Sequence, residues 1–143
     1  MQMTREDVDR LIDDHFRHEA TDNVDGVLAS FAPRAEHHVV PSPYGIIQGD
    51  AGRIRECYTT MFRDLRGEAV APVRRLYGDG FVVDEAIWTG RIEDGRFFGC
   101  PGRHGKVSFR LLHVFEFEGE KIRRENVWCD LAAIQQQLGA SVQ

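Results

Sequence analysis

The chain has 143 residues, 42% of them hydrophobic and 29% charged, with a formal net charge of −5. A chain of that length and composition is expected to form a single domain over 1–143, and it falls outside the disordered, collagenous and low-complexity classes. No basic cluster is longer than the pairs Arg74-Arg75 and Arg123-Arg124, so the concentrated positive face that a nucleic-acid backbone requires is missing.

Val8, Leu11, Ile12, His15 and Phe16 keep helical spacing, and Thr4 with Asp7 predicts a capped start. One member of that apolar stripe is a histidine. Asp22 is expected to open a short second helix carrying Val24, Val27, Leu28 and Phe31, with Pro33 ending it. Residues 35–40 read as a strand that stops at the turn-rich Pro41–Gly45 stretch. Ile54, Cys57, Tyr58, Met61, Phe62 and Leu65 then form the clearest amphipathic helix, with Tyr58 on its buried face. From Ala69 the period changes to two, predicting strands near 69–77, 81–92, 96–100, 106–118 and 121–129. The breaks at Gly78-Asp-Gly80, Glu93-Asp-Gly95 and Glu118-Gly-Glu120 carry hairpin chemistry. A short helix from Asp130 to Gly139 closes the chain. Helices first and an antiparallel meander afterwards predict an α+β fold, with helices on one face of a curved sheet and a cone-shaped pocket between them.

No apolar run approaches the ~20 residues of a membrane helix, and the N-terminus lacks a signal-peptide core, so a cytoplasmic location without membrane association is expected. Cys57, Cys100 and Cys129 are odd in number and form no CxxC pair, which points to reduced thiols rather than a disulfide framework or a cysteine zinc site. His15 and Glu19 are spaced i,i+4 beside His18, but no HExxH or histidine-rich set follows, and no metal is expected. Neither a Walker loop nor GxGxxG occurs, and no cofactor is expected.

The order of elements resembles the nuclear transport factor two-like superfamily, and within it the SnoaL-like polyketide cyclases and ketosteroid isomerases. The strings that carry the resemblance are Asp25-Gly-Val-Leu-Ala-Ser-Phe31, Gly49, Ile54-Arg-Glu-Cys-Tyr58, Val114-Phe-Glu-Phe117 with Gly119-Glu-Lys-Ile122, and Asp130 before Gln137-Leu-Gly139. The resemblance implies a cone-shaped α+β barrel. The aspartate base of ketosteroid isomerases would fall at Val39 or Val40, before Pro41, and is absent. Their oxyanion-binding tyrosine and aspartate positions fall at His15 and His113. The aspartate that moves the proton in SnoaL-like cyclases corresponds to Asp130.

His113 alternates with Val107, Phe109, Leu111, Phe115 and Phe117, on the most apolar face of its strand. A buried imidazole there suits general acid–base work; the plain alternative is a core histidine bonded to a backbone carbonyl. Asp130 is either a catalytic carboxylate or the cap of the last helix. It shares strand parity with Trp128, Asn126 and Arg124, a face polar enough for a cavity mouth. His37 and His38 face opposite ways; anchoring on Pro41 points His38 inward, anchoring on Phe31 points His37. Glu85 interrupts the apolar face of Phe81, Val83 and Ile87, and Trp88 and Trp128 are expected as aromatic walls or interface residues.

The expected function is cofactor-independent proton transfer on a small apolar carbonyl compound, polyketide- or terpenoid-like, by Asp130, His113 and His15, with His38, Tyr58, Glu85, Trp88 and Trp128 around the ligand. A non-catalytic ligand-binding or dimerisation module is the alternative. Epoxide hydrolysis by an Asp-Arg-Asp set ranks third, since Arg110 faces away from His113. A homodimer is expected to cover the Phe-, Val- and Trp-rich outer sheet.

Overall fold

The computed structural model describes residues 2–139. Two helices, α1 (Arg5–Ala20) and α2 (Val24–Ala29), precede strands β1 (Phe31–Val40) and β2 (Ile47–Gln48). Helix α3 (Ala51–Asp64) leads directly into the meander β3 (Leu65–Gly78), β4 (Phe81–Ile92), β5 (Gly105–Glu118) and β6 (Lys121–Cys129), and α4 (Leu131–Gln137) closes the fold. The six strands form one sheet in the order β2-β1-β6-β5-β4-β3. Only the β1–β6 pair is parallel. The sheet curls around α1 and α3, giving the cone-shaped α+β architecture expected from the sequence.

The predicted capping box forms: Thr4 Oγ1 accepts from the Asp7 amide and the Asp7 carboxylate accepts from that of Thr4. Asp50 and Asp130 cap α3 and α4 by accepting from the amides of Arg53 and Ala133. Gly80 and Gly119 take positive φ in the β3–β4 and β5–β6 turns, where a Cβ would be strained.

Several boundaries differ from expectation: β3 begins at Leu65 rather than Ala69, β1 at Phe31 rather than 35, and the short strand β2 was not expected. The second helix is capped by Asn23, not Asp22, and ends before Phe31, which opens β1. Pro33 sits inside that strand where the ladder to β6 is interrupted between Phe31 and Glu36, so its missing N–H costs no ladder bond. Residues 96–98 form a 3-10 turn instead of a strand, beside an isolated Gly95–Cys100 bridge. Phe97 and Phe98 are both buried in the core, where the tight turn packs the two rings edge to face.

Asp64, buried at the end of α3, accepts two bonds from Arg96 and two from Arg63. The bonds from Arg96 hold its carboxyl far below the usual range despite partial burial and pin α3 to the 3-10 turn. At the other end of the sheet, edge strand β3 leaves Val70, Val73 and Leu76 exposed, the kind of apolar strip the expected homodimer would cover.

Candidate active site

The inward faces of β1, β4, β5 and β6, with α1 and α3 above them, enclose a cavity of about 580 Å³. Strand alternation sends His37, Asp84, Trp88, Phe109, His113 and Val127 into its wall, while the helices contribute Phe16, Glu19, Tyr58 and Phe62. Trp88 can lie flat along the sheet because Gly90 has no Cβ; one there would come within 2.6 Å of the indole and 2.2 Å of the Arg66 carbonyl oxygen.

Behind this wall lies Glu125, fully buried on β6. His15 Nε2 is 2.9 Å from its Oε2, and the Tyr58 hydroxyl donates to its Oε1. His37 Nε2 stands 3.2 Å from Oε1, off the line of a hydrogen bond, and His113 Nε2 is 3.9 Å from Oε2. Three imidazoles and a phenol therefore surround one carboxylate.

Its neighbours fix the protonation of His15. Ser30 Oγ donates to the Val27 carbonyl at 2.5 Å, so at 2.8 Å it accepts from His15 Nδ1. Nε2 faces carboxylates of Glu125 and, at 3.3 Å, Glu19. Both ring nitrogens thus donate, and the ring is an imidazolium. Burial opposes that charge, but the two carboxylates outweigh it and raise the pKa to about 10. Burial likewise opposes ionisation of Glu125, yet the charge and hydrogen bond of His15, with His37 nearby, hold it well below the usual carboxylate range. His113 has the opposite balance: burial pulls it below 6.5 against the attraction of Glu125, so it is neutral at pH 7.

The sign of this linkage yields a prediction. A group raised from 6.5 to about 10 on folding contributes stability that is complete below 6.5 and is lost as pH rises through 10. Between pH 7 and 7.5, well below the pH of about 8.5 at which unfolded thiols titrate, stability should fall by about 1 kcal/mol per pH unit. Chemical denaturation at stepped pH measures this. A His15→Gln variant should lose most of the slope, keeping only the part that the buried thiols of Cys57 and Cys129 contribute toward about pH 8.5, and a flat wild-type profile would mean His15 is neutral.

His15, His113, Tyr58 and Trp88 are brought together as expected. Asp130 is not: it is exposed, its carboxylate is engaged as the α4 cap, and strand parity points it away from Glu125, Val127 and Cys129. His38 and Trp128 lie on that same outer side, in register with Asn126 and Val40, and Trp128 is 42% exposed; the inward histidine of β1 is His37. Glu85 also faces outward, 3.4 Å from Arg110. The residues missed were Glu125, at the centre of the cluster, and Glu19 at the rim. A signal for Glu125 existed in its parity with Val127 and Cys129, apolar partners on a strand otherwise rich in charge.

Among the described residues, His15, Glu19 and Glu125 are the group able to hold a metal, their donor atoms lying within 4.8 Å of one another. With both His15 nitrogens protonated, Nε2 has no free lone pair, so a cation would first have to displace that proton.

A family model described as SnoaL-like polyketide cyclase matches residues 6–138. Among solved structures, TsrD from Streptomyces laurentii is similar over 98% of this chain and 100% of its own, at 20% identity and a TM-score of 0.77. A Jannaschia sp. CCS1 protein assigned to the SnoaL-like polyketide cyclases is similar over 95% of this chain and 91% of its own, at 22% identity and 0.74. An LEH-like epoxide hydrolase from M. tuberculosis is similar over 94% and 91%, at 17% identity and 0.69. No curated protein matches the sequence. At these identities the structures share a fold, which by itself fixes no reaction.

Proposed function

The chain belongs to the SnoaL-like polyketide cyclase family, and on that premise we propose that it moves protons, without a cofactor, on a small, largely apolar carbonyl compound, as an isomerase, cyclase or lyase. The observation that carries this reading is the pair of imidazoles His37 and His113. Both belong to the cavity wall, both direct Nε2 toward the buried carboxylate of Glu125, and both keep an Nδ1 without a hydrogen-bond partner. A carboxylate facing Nε2 favours the tautomer with the proton there and the lone pair on Nδ1.

In this scheme the neutral ring of His113 removes a proton from the carbon beside the carbonyl. The imidazolium so formed lies 3.9 Å from Glu125 Oε2, and its charge balances that of the enolate. The proton is then returned to a different atom, by His113 or from the His37 side. His15 keeps Glu125 ionised throughout, so the cluster stabilises a positive ring before the reaction needs one. Asp130 takes no part, and the proton-moving role expected of it passes to His113.

Incubation in D2O with a panel of cyclic and unsaturated monoketones, followed by proton NMR, tests the reading. The expected result is deuterium incorporation beside the carbonyl, at a rate above buffer that falls in His113→Gln. Saturable binding of these ketones with no exchange would replace the proposal with a ligand-binding module.

Hydrolytic opening of an epoxide remains a second reading, favoured by one observation. Asp84 and Asp13, both in the cavity wall, share the guanidinium of Arg75 at 2.8 and 3.0 Å, an Asp-Arg-Asp set at a place other than Arg110. Incorporation of 18O from labelled water into a diol product would select it.

A further inference from the structure

We infer that the molecule bound in this cavity carries a positive charge, an ammonium or iminium group on an apolar, ring-bearing frame. The inference rests on the reading above that the cavity is the substrate site, and it specifies the substrate class. Its basis is a local shortage of cations. Arg75 faces three carboxylates, Asp9 at 2.8 Å, Asp13 at 3.0 Å and Asp84 at 2.8 Å, and Arg5, over the Tyr77 ring, adds one further cation near Asp9. His15 alone faces two, Glu19 at 3.3 Å and Glu125 at 2.9 Å. Five carboxylates against Arg75, Arg5 and His15 leave a surplus of two negative charges, and Asp13, Asp84 and Glu19 bring it to the cavity wall.

Nothing else in the wall cancels it. Asp22 and Glu68 are each matched by one cation, Arg66 at 3.5 Å and Lys106 at 3.3 Å. Arg17, the one arginine or lysine among the described residues of the wall, turns its guanidinium outward to Asp14 at 2.6 Å and stays two-thirds exposed. His113 lies where the two clusters meet, in cross-strand register with Asp84 and 3.9 Å from Glu125, and remains neutral because it is buried. A titratable ring beside two acidic clusters leaves the compensating charge to be supplied from outside.

The remaining wall suits the same ligand. Phe16, Tyr58, Phe62, Trp88 and Phe109 offer ring faces and edges, and a cation over an aromatic face gains about 0.5–2 kcal/mol depending on its desolvation. A carboxylate or phosphate entering past Glu19 and Asp13 would meet like charge in a site of low dielectric, an arrangement that rejects anions as effectively as it attracts cations. An amine held here would also place its neighbouring carbons against the His113 and His37 rings.

Three naphthalene probes of matched size separate charge from hydrophobicity: 2-naphthylmethylamine, 2-naphthylmethanol and 2-naphthoate, titrated calorimetrically into the full chain at pH 7. None carries a ketone, so binding does not depend on turnover. The ammonium is expected to bind about tenfold tighter than the alcohol, and the naphthoate about tenfold weaker than the alcohol or not at all. In Glu19→Gln, a half-buried rim position whose change is compatible with folding, the ammonium's advantage should shrink several-fold while the alcohol is unaffected. Added salt should narrow the gap. Equal or tighter binding of the alcohol, an advantage unchanged in both Glu19→Gln and Asp84→Asn, or no binding of the ammonium at millimolar concentration would each overturn the inference. Ammonium-selective binding with no deuterium exchange would sink the proposed chemistry and leave this inference standing; exchange without ammonium preference would do the reverse.

Discussion

Replacing Glu125 with leucine is expected to destabilise the protein by about 3–5 kcal/mol and to abolish proton transfer. The carboxylate is the only anion in the fully dry part of the cluster, and removing it strands the imidazolium of His15, buried and shared only with the rim residue Glu19. Breaking one side of a buried pair costs that much because the surviving charge loses both water and its partner. The Tyr58 hydroxyl loses its acceptor as well, which adds the penalty of an unmade buried hydrogen bond. Adding His15→Leu should restore more than half of the lost stability, since two apolar side chains in place of two opposite charges remove the desolvation cost together. It should restore none of the activity, since nothing then balances a charged His113. Urea denaturation of the wild type, both single variants and the double variant measures the coupling. A Glu125→Leu protein as stable as wild type would show that the pair is not ionised and would remove the electrostatic basis of the proposed chemistry.

Glu125 was hard to read from the sequence for a local reason. It follows Arg123 and Arg124 and precedes Asn126, so its neighbourhood looks solvated. The ladder between β5 and β6 also shifts between Glu116 and Phe117, moving the inward parity from Ile122 to Glu125. Counting by twos from the obvious core residue Ile122 therefore sends Glu125 outward. In β1 the register is regular from Glu36 to Val40, and anchoring on Pro41 misleads because Val40 itself faces outward beside Trp128, whereas Phe31 shares the inward side with His37. His15 and His113, by contrast, were legible because each breaks an unbroken apolar stripe on a regular element, where periodicity alone decides the face. Asp130 shows the limit of resemblance: the family position was matched, but a carboxylate two residues past Trp128 on the outward parity, at a helix start, serves the backbone. The order of helices and strands needed no such precision, because it rests on period and turn chemistry summed over whole segments.

His113→Gln should lower kcat by about 10²–10⁴-fold, the usual worth of a positioned acid–base group, with KM changed only a few-fold. Glutamine keeps a polar head of similar reach but cannot accept and return a proton. The ring's packing role is modest in comparison. It stacks on Phe115 at 5.3 Å and meets the edge of Phe16 at 4.9 Å, contacts a flat amide partly replaces, so stability should move by about 1 kcal/mol or less. The pH profile gives the readout that a packing role would not produce. The neutral ring is the active form, and burial lowers its pKa from 6.5, so wild-type kcat/KM should be constant near pH 7 and fall only as pH drops below 6.5. The alkaline limb belongs to a different group: His15 loses its proton near 10, and with it Glu125 loses the charge that keeps it ionised. In His113→Gln the acid limb should vanish while any residual alkaline limb persists. A variant that keeps full kcat, or one that loses kcat but retains the acid limb, would move the base elsewhere in the cavity wall, and His37, with its own unpartnered Nδ1 beside the same carboxylate, is the residue to which the role would pass.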